Sequence, residues 1–227
     1  MEFQVFFRTS QSFGKDPITG MSAKLTLKSL LKSFTKEEII IICDNKNNKD
    51  YLELSSDFPI VYKTKLGNPG SFRLSIKLTE IHQAENYYFV EDDHLHLPNQ
   101  KEWIKEGLKH FDFISLYDHP DKYRSKMYKN LKRKIILTPL GYFASSPSTV
   151  MTFACNAETL ERTKSIFLDK HLTGKSLVVP KDHYLFCKLT SQGYRLGTPL
   201  PGRSTHCERE GLSPFIDWVT YIKELKE

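Results

Sequence analysis

Three consecutive carboxylates, Glu91, Asp92 and Asp93, directly follow a short aromatic and β-branched run at residues 87–90. Such a run is typical of a buried strand, so the acids are expected at the carboxyl end of that strand. Adjacent carboxylates repel one another, and the repulsion grows as the local dielectric falls. In an extended segment Glu91 and Asp93 point to one side and Asp92 to the other. The run therefore predicts a site for Mg²⁺ or Mn²⁺ that offers two hard oxygen ligands from one face.

Other polar residues stand where neighbouring strands are expected to end. Arg8 and Thr9 close a strand at residues 5–8, and Asp44 follows the isoleucine-rich run at residues 39–43. In open α/β sheets, ligands bind beyond the carboxyl ends of the strands. Asp44 is therefore predicted either to accept hydrogen bonds from a nucleobase or ribose or to form a turn. Arg8 is predicted either to pair with phosphate or to form a surface ion pair.

Strands and helices alternate along the first 93 residues. We expect strands at residues 5–8, 39–43, 60–62 and 87–90, a turn at 45–49, and helices from residue 22 to about 34 and from 71 to 83. The second helix follows a Gly- and Pro-containing loop at residues 66–71. This order predicts stacked β-α-β units with a right-handed parallel sheet.

The second half has a more mixed pattern. We expect strands at residues 113–117, 135–138, 149–154 and 193–200, helices at 103–111, after Asn156, at 180–188 and at 216–225, and a polar excursion at 118–134. The predicted fold class is α/β, with a mostly parallel central sheet flanked by helices and a small antiparallel addition. With no linker between the halves, the sequence favours one domain over residues 1–227, divided into halves at 1–97 and 98–227.

Composition limits the classes of protein to which the chain can belong. The 227 residues are 39% hydrophobic, which excludes a disordered chain, and the net charge of +6 suggests an anionic partner. Seven Lys or Arg residues crowd residues 122–134, as a solvated face or as a surface for nucleic acid, phosphorylated substrate or membrane. The four cysteines are widely spaced, and neither a signal peptide nor a membrane-spanning run is evident. We expect a protein of the reducing cytoplasm with no transmembrane segment.

The ordered series of motifs resembles the GT-A glycosyltransferases, family 2-type enzymes in particular, including small viral and bacterial nucleotide-sugar transferases. Asp44 after the second strand, the Gly-Asn-Pro-Gly-Ser loop and the run Phe-Val-Glu-Asp-Asp look like the nucleotide-sugar half of such enzymes, with Glu91-x-Asp93 in the place of their Asp-x-Asp motif. Residues 142–152 resemble their glycine-containing loop near the donor sugar. Lys181-Asp182 resembles the acidic motif that opens the acceptor-side helix, and Ser204-Thr205-His206 resembles the C-terminal metal-binding histidine.

The resemblance implies a division of roles. It implies that Asp93 and His206 bind Mn²⁺ or Mg²⁺, and that Asp182 is the general base of an inverting transfer. The alternatives without a functional role are an ordinary loop histidine at position 206 and a structural residue at the start of a helix at position 182. The nucleotide of the donor is expected to contact Arg8, Thr9, Asp44, Arg73, Glu91 and Asp92. The implied partners are a nucleoside diphosphate sugar, with uridine as the expected base, and a glycan or other hydroxyl acceptor, without nucleic acid.

Two other functions remain open at this point. A sugar-phosphate nucleotidylyltransferase would share the sheet and the acidic metal site, but the loop at residues 8–20 only loosely resembles the Gly-rich loop of those enzymes. A non-enzymatic basic binding module built on residues 122–134 would leave the acids unexplained. A zinc site at His94 and His96 is disfavoured because no third soft ligand stands nearby in the sequence.

Overall fold

The computed structural model describes residues 1–11, 13, 16–173 and 181–227. Its strands are β1 (Phe3–Ser10), β2 (Ile39–Asp44), β3 (Val61–Thr64), β4 (Asn86–Glu91), β5 (His94–His96), β6 (Phe113–Ile114), β7 (Ile135–Thr138), β8 (Gly141–Ser146), β9 (Phe153–Asn156), β10 (Leu196–Leu200) and β11 (Ser204–His206). Its helices are α1 (Ala23–Leu30), α2 (Asn48–Asp57), α3 (Gly67–Leu78), α4 (Gln100–Leu108), α5 (Asp121–Arg124), α6 (Ala157–Leu168), α7 (Lys170–Thr173), α8 (Lys181–Ser191) and α9 (Trp218–Lys226).

Within the described residues, nine strands from both halves of the chain form one sheet in the order β3-β2-β1-β4-β9-β6-β10-β8-β7. The first four strands are parallel. β9 is antiparallel to β4 and β6, and the hairpin of β7 and β8 joins β10 in antiparallel fashion. β5 and β11 form a separate antiparallel pair. The predicted α/β class, with a mostly parallel first half and an antiparallel addition, is confirmed.

The isoleucines of β2 explain why the sheet is covered on both faces. Ile39 and Ile41 pack into one hydrophobic cluster with α1 and α4, whereas Ile40 and Ile42 pack into another with α3, α6 and α8. All four are fully buried. Fully burying such a side chain contributes about 1.5–3 kcal/mol, so this strand alone contributes several kcal/mol to holding the two helical layers together.

The register of the parallel strands brings their polar ends to one edge. Arg8 stands opposite Ile42 on one side and Glu91 on the other, and Ser10 stands opposite Asp44. Because parallel strands run in the same direction, their carboxyl ends meet at this edge. The side chains picked out in the sequence are therefore neighbours across three strands.

Several predicted boundaries were wrong. Residues 45–49 are more than a turn, because α2 begins at Asn48, capped by the Asn47 side chain, which accepts from the Asp50 amide at 2.9 Å. None of the residues of α2 is completely buried, and its sequence lacks the strong apolar repeat of a helix that packs on a core. α3 begins at Gly67, inside the predicted loop, where a proline fits the first turn. β6 covers only two residues of the expected strand at 113–117.

Candidate active site at the carboxyl edge of the parallel sheet

A cavity of about 670 Å³ opens at the carboxyl ends of β1, β2 and β4. The start of α3 and the segment after β11 complete its wall. The lining residues are Arg8, Thr9, Ser10, Gln11, Asp44, Asn45, Gly67, Asn68, Ser71, Glu91, Asp92, Asp93 and Glu208. Five of the six residues predicted to contact the donor nucleotide, and the predicted metal ligand Asp93, therefore line one cavity.

Arg8 is held beneath this cavity by three neighbours. Its guanidinium lies 3.0 Å from Glu91 Oε1 and donates to Asn68 Oδ1 at 2.9 Å. Its guanidinium carbon lies 5.3 Å from the centre of the Phe72 ring. Arg8 is 5% exposed, and its Nε has no hydrogen-bond partner among the described residues. Asn68, which belongs to the conspicuous Gly-Asn-Pro-Gly-Ser loop, was not assigned a role from the sequence.

The prediction that Glu91 and Asp93 offer oxygens from one face was wrong. β4 ends at Glu91, and Asp92 and Asp93 form a turn before β5, so strand alternation does not extend through them. Glu91 turns to Arg8. Burial raises the pKa of Glu91, the Arg8 charge opposes this rise, and the charges of Asp93 and Asp182 add to it.

Asp92 is anchored to the end of β1. Its Oδ2 accepts from the Thr9 hydroxyl at 2.6 Å and from the Ser10 amide at 3.1 Å. The Asp92 carbonyl accepts from the Thr26 hydroxyl at 2.6 Å, which links the turn to α1. Burial raises the pKa of Asp92 to about 6, although the Thr9 hydrogen bond opposes the rise. This carboxylate therefore fixes the geometry of the acidic turn.

The Asp44 carboxylate also accepts hydrogen bonds from neighbouring segments of the fold. Its Oδ1 accepts from the Thr64 hydroxyl at 2.8 Å and from the Leu66 amide at 2.6 Å. These bonds tie the end of β2 to the segment that leads into α3. Asp44 also lines the cavity, and its expected contact with a nucleobase or ribose stays a prediction.

Asp93 meets two histidines. His206 Nε2 lies 3.2 Å from Asp93 Oδ2, and His94 Nε2 lies 3.9 Å from Asp93 Oδ1. One ligand atom from each of the three residues lies within 4.8 Å of the others. Two ligands of one ion bonded at about 2.1 Å are at most about 4.2 Å apart, so the three atoms must move closer to one another to bind one ion. The position of His94 beside Asp93 and His206 was not predicted, because His206 comes from a remote segment of the chain.

The pKa values of Asp93, His206 and His94 are set by burial and by the interaction of Asp93 with the two histidines. Burial raises the pKa of Asp93, but the hydrogen bond from His206 and the neighbouring imidazoles outweigh it, and the pKa falls to about 2. Burial lowers the pKa of His206, and the hydrogen bond and charge of Asp93 more than compensate, so this pKa is raised. For His94, burial dominates and lowers the pKa well below its ordinary value. Asp93 is thus a carboxylate and His94 a neutral imidazole at neutral pH.

The donor set fits a divalent cation. Asp93 Oδ1 and both ring nitrogens of His94 are buried without a hydrogen-bond partner in the described part of the chain. Buried polar atoms are rarely left unpaired, so these atoms indicate a partner that is not part of the protein. A carboxylate and imidazole nitrogens are ligands that Mn²⁺ and its neighbours accept.

Asp182 lies in the first turn of α8, close enough for its charge to affect Glu91. Its Oδ1 accepts from the His183 amide at 2.8 Å. Burial raises the pKa of Asp182 above its ordinary value. The next side chain, His183, bonds through Nδ1 to the Ser148 hydroxyl at 3.0 Å and so fixes this end of α8 to the loop before β9. Pro180, used to predict the start of this helix, lies outside the described residues.

Two features expected near the donor, Arg73 and residues 142–146, are not among the residues that line the cavity, and the separate basic stretch is partly neutralised. Arg73 donates to the Thr173 hydroxyl at 2.7 Å and so connects α3 to α7. Residues 142–146, expected in a glycine-containing loop, are part of β8. In the basic stretch, Arg133 binds Asp118 at 3.0 Å and Lys122 binds Asp121 at 3.2 Å, so part of its charge is balanced within the fold.

No protein-family model and no curated protein sequence matches the chain. Among solved structures, a fragment of S. aureus TarS (1-349) aligns with 87% of this chain at 17% identity and a TM-score of 0.56. The same fragment in complex with UDP aligns at 14% identity and a TM-score of 0.51. The chain spans 58% of the length of the first TarS structure.

Two other solved structures align over nearly their full length. The inositol-1-phosphate CTP transferase of T. maritima aligns with 100% of this chain and 97% of its own, at 15% identity and a TM-score of 0.53. CMP:2-keto-3-deoxy-manno-octonic acid synthetase, complexed with CTP, aligns over the same shares at 9% identity and a TM-score of 0.51.

These alignments define the class of fold. The chain has a Rossmann-like α/β fold, similar to that of these structures. More particularly, the chain resembles the GT-A glycosyltransferases, of which TarS is one. In the described part of the chain, no helix is both long and apolar enough to cross a bilayer.

Proposed function

We propose that the chain is a divalent-metal-dependent glycosyltransferase that moves a sugar from a nucleoside diphosphate, preferably a UDP-sugar, to a hydroxyl acceptor. The meeting of Asp93 with His206, 3.2 Å apart at the carboxyl edge of the parallel sheet, carries this proposal. The carboxylate follows a first-half strand, and the histidine returns from the C-terminal segment, as the resemblance implies. The resemblance to TarS, including its UDP complex, supports the same reading.

Arg8 and its neighbours form the donor side of the proposed site. The buried guanidinium pairs with Glu91 through one terminal nitrogen and keeps its Nε without a hydrogen-bond partner among the residues described, beside a cavity large enough for a nucleotide. Such nitrogens donate well to phosphate oxygens. Asp44 and Asp92 accept hydrogen bonds from ribose or base, while Glu91 balances the Arg8 charge when the cavity holds no donor.

Asp93 and His206 hold the cation, either Mn²⁺ or Mg²⁺. The ion, when bound, stabilises the negative charge that develops on the departing diphosphate. His206 would hold the ion through a ring nitrogen without its proton, in place of its hydrogen bond to Asp93. The two residues also fix the ion relative to Arg8 across the acidic turn.

Asp182 is the proposed general base. The acceptor hydroxyl oxygen forms a bond to the anomeric carbon, the bond from that carbon to the β-phosphate oxygen breaks, and the hydroxyl proton passes to Asp182. The nucleoside diphosphate leaves with the electron pair, and the anomeric configuration inverts. The raised pKa of Asp182 makes its carboxylate a stronger base.

Calorimetry with UDP in the presence and absence of Mn²⁺ tests the proposal. We expect UDP to bind more tightly with Mn²⁺, and Asp93→Asn to weaken that metal-dependent binding by at least about tenfold, since even indirect partners of metals cost 10–100-fold. Asp57→Asn, at the exposed end of α2, is the matched control and should bind as the wild type does. UDP affinity that is independent of Mn²⁺, or equal in the Asp93 variant and the control, would contradict the proposal.

A sugar-phosphate nucleotidyltransferase is the second candidate, favoured by the alignment with two such structures over 97% of their length. The two reactions release different products. A panel of sugar phosphates with CTP or UTP should yield pyrophosphate if this candidate is right. A panel of UDP-sugars with hydroxyl acceptors should yield UDP, without pyrophosphate, if the chain is a glycosyltransferase.

A further inference from the structure

His94 is a buried imidazole for which the fold provides no hydrogen bond. The side chain is 0% exposed, and neither ring nitrogen has a hydrogen-bond partner within residues 1–11, 13, 16–173 and 181–227. Leaving a buried polar group unsatisfied costs about 1–3 kcal/mol. A leucine would fill the same space without that cost. We therefore expect the ring nitrogens of His94 to have a chemical role.

The pairing of β5 with β11 directs His94 towards the predicted metal ligands. His94 stands directly opposite His206 in this antiparallel pair, and opposite residues share one face of a sheet. Their ring centres are 5.2 Å apart. The Cys207 amide donates to the Asp93 carbonyl at 2.8 Å, which fastens the end of β11 to the acidic turn. The backbone thus brings two imidazoles and one carboxylate together.

Aromatic packing fixes the orientation of the His94 ring. Tyr117 lies edge-on to it with ring centres 5.2 Å apart, and its hydroxyl donates to the Gly211 carbonyl at 2.5 Å. His94 Nε2 therefore stays 3.9 Å from Asp93 Oδ1, an oxygen that likewise lacks a hydrogen-bond partner among the described residues. An ion bound between these two atoms satisfies both of them.

We propose that His94 is a third protein ligand of the cation, with Asp93 and His206, and that the site prefers Mn²⁺ and neighbouring transition-metal ions to Mg²⁺. This inference rests on the proposed metal-dependent function. Imidazole nitrogen suits transition metals, whereas Mg²⁺ prefers carboxylate, carbonyl and water oxygens. With two nitrogens and one oxygen from the protein, the site loses affinity for Mg²⁺ and leaves coordination positions for phosphate oxygens.

The test uses the full chain with Mn²⁺, Co²⁺ or Mg²⁺ alone, before any nucleotide is added. Calorimetry should give affinities in the order Mg²⁺, Mn²⁺, Co²⁺, from weakest to tightest. Electron–nuclear double resonance of the Mn²⁺ complex should detect two coordinated ¹⁴N nuclei. His94→Leu should leave one, and should weaken Mn²⁺ binding by at least about tenfold.

A second measurement separates loss of a ligand from loss of the fold. Without metal, His94→Leu should melt at the wild-type temperature or above it, because an unsatisfied buried imidazole is replaced by an apolar group. The stabilisation that Mn²⁺ confers on the wild type should be lost. His82→Gln is the control, since His82 bonds the Tyr62 hydroxyl at 2.9 Å and lines neither this cluster nor the cavity.

The outcomes distinguish this inference from the proposed function. One coordinated nitrogen in the wild type, or Mn²⁺ affinity in His94→Leu equal to that of the control, would overturn the inference while Mn²⁺-dependent UDP binding still supports the glycosyltransferase. Mg²⁺ binding as tight as Mn²⁺ binding would overturn the metal preference. Two nitrogens and the expected loss in His94→Leu would support the site, even where UDP binds without metal and the proposed function fails.

Discussion

Replacing Arg8 tests how much the stability of the protein depends on one buried ion pair at the carboxyl edge of the parallel sheet. Arg8→Met keeps an apolar stem over Phe72 but removes the 3.0 Å contact with Glu91 and the hydrogen bond to Asn68. Removing one partner of a buried pair costs about 3–5 kcal/mol, because the other charge is left uncompensated. Glu91 is 20% exposed and gains some hydration, so we expect a loss near the lower end, about 3 kcal/mol.

Adding Glu91→Gln to the same chain removes the uncompensated charge. The double variant should therefore recover about 1–2 kcal/mol relative to the sum of the single variants, within the range found for groups in direct contact. Urea unfolding, followed by tryptophan fluorescence and by circular dichroism, measures all four proteins. For a chain of this size, a loss of 3 kcal/mol lowers the melting temperature by about 6–12 °C. Single-variant effects that simply add, or an Arg8→Met protein within 0.5 kcal/mol of the wild type, would refute the reasoning.

Three further changes probe other parts of the site and its support. Asp182→Asn should lower turnover by about 10²-fold or more, as expected for loss of a general base, with UDP affinity unchanged in calorimetry; a variant with full turnover would contradict the assignment. Thr9→Val should cost about 1–3 kcal/mol in urea unfolding because Asp92 loses its 2.6 Å donor, whereas Thr9→Ser keeps the donor and should stay near the wild type. Gly197→Ala should destabilise by about 1–3 kcal/mol, since the added methyl carbon would stand 2.4 Å from the Phe111 ring, and a thermal melt equal to that of the wild type would contradict this.

The elements predicted well from the sequence are those specified by nearby residues. The isoleucines of β2 and the apolar period of α1 are local signals, and Ser22 and Asn156 cap α1 and α6 through their own side chains. These signals were sufficient to place the acids, Arg8 and Asp44 at one edge of a parallel sheet. α2 escaped prediction because it lies against the fold without a completely buried residue.

The parts that the sequence did not reveal depend on contacts between distant segments. Zinc at His94 and His96 was disfavoured because no third ligand stands nearby in the chain, yet the register of β5 and β11 brings His206 opposite His94. His96, by contrast, bonds the Tyr88 hydroxyl at 2.7 Å and does not join the cluster. The orientation of Glu91 was missed for a similar reason, since the turn after β4 is set by the bonds of Asp92 to β1.

Three adjacent acids can coexist at this edge because each has a different partner. Glu91 is balanced by Arg8, Asp92 is held by the hydroxyl and amide at the end of β1, and Asp93 faces the histidines. A cation held by Asp93, as proposed, would leave the Arg8 pair and the anchor of the turn intact. This separation explains why Asp93 is the acid best suited to bind metal. It also implies that Glu91→Gln mainly changes the stability of the sheet edge, whereas Asp93→Asn mainly weakens the binding of the proposed ion.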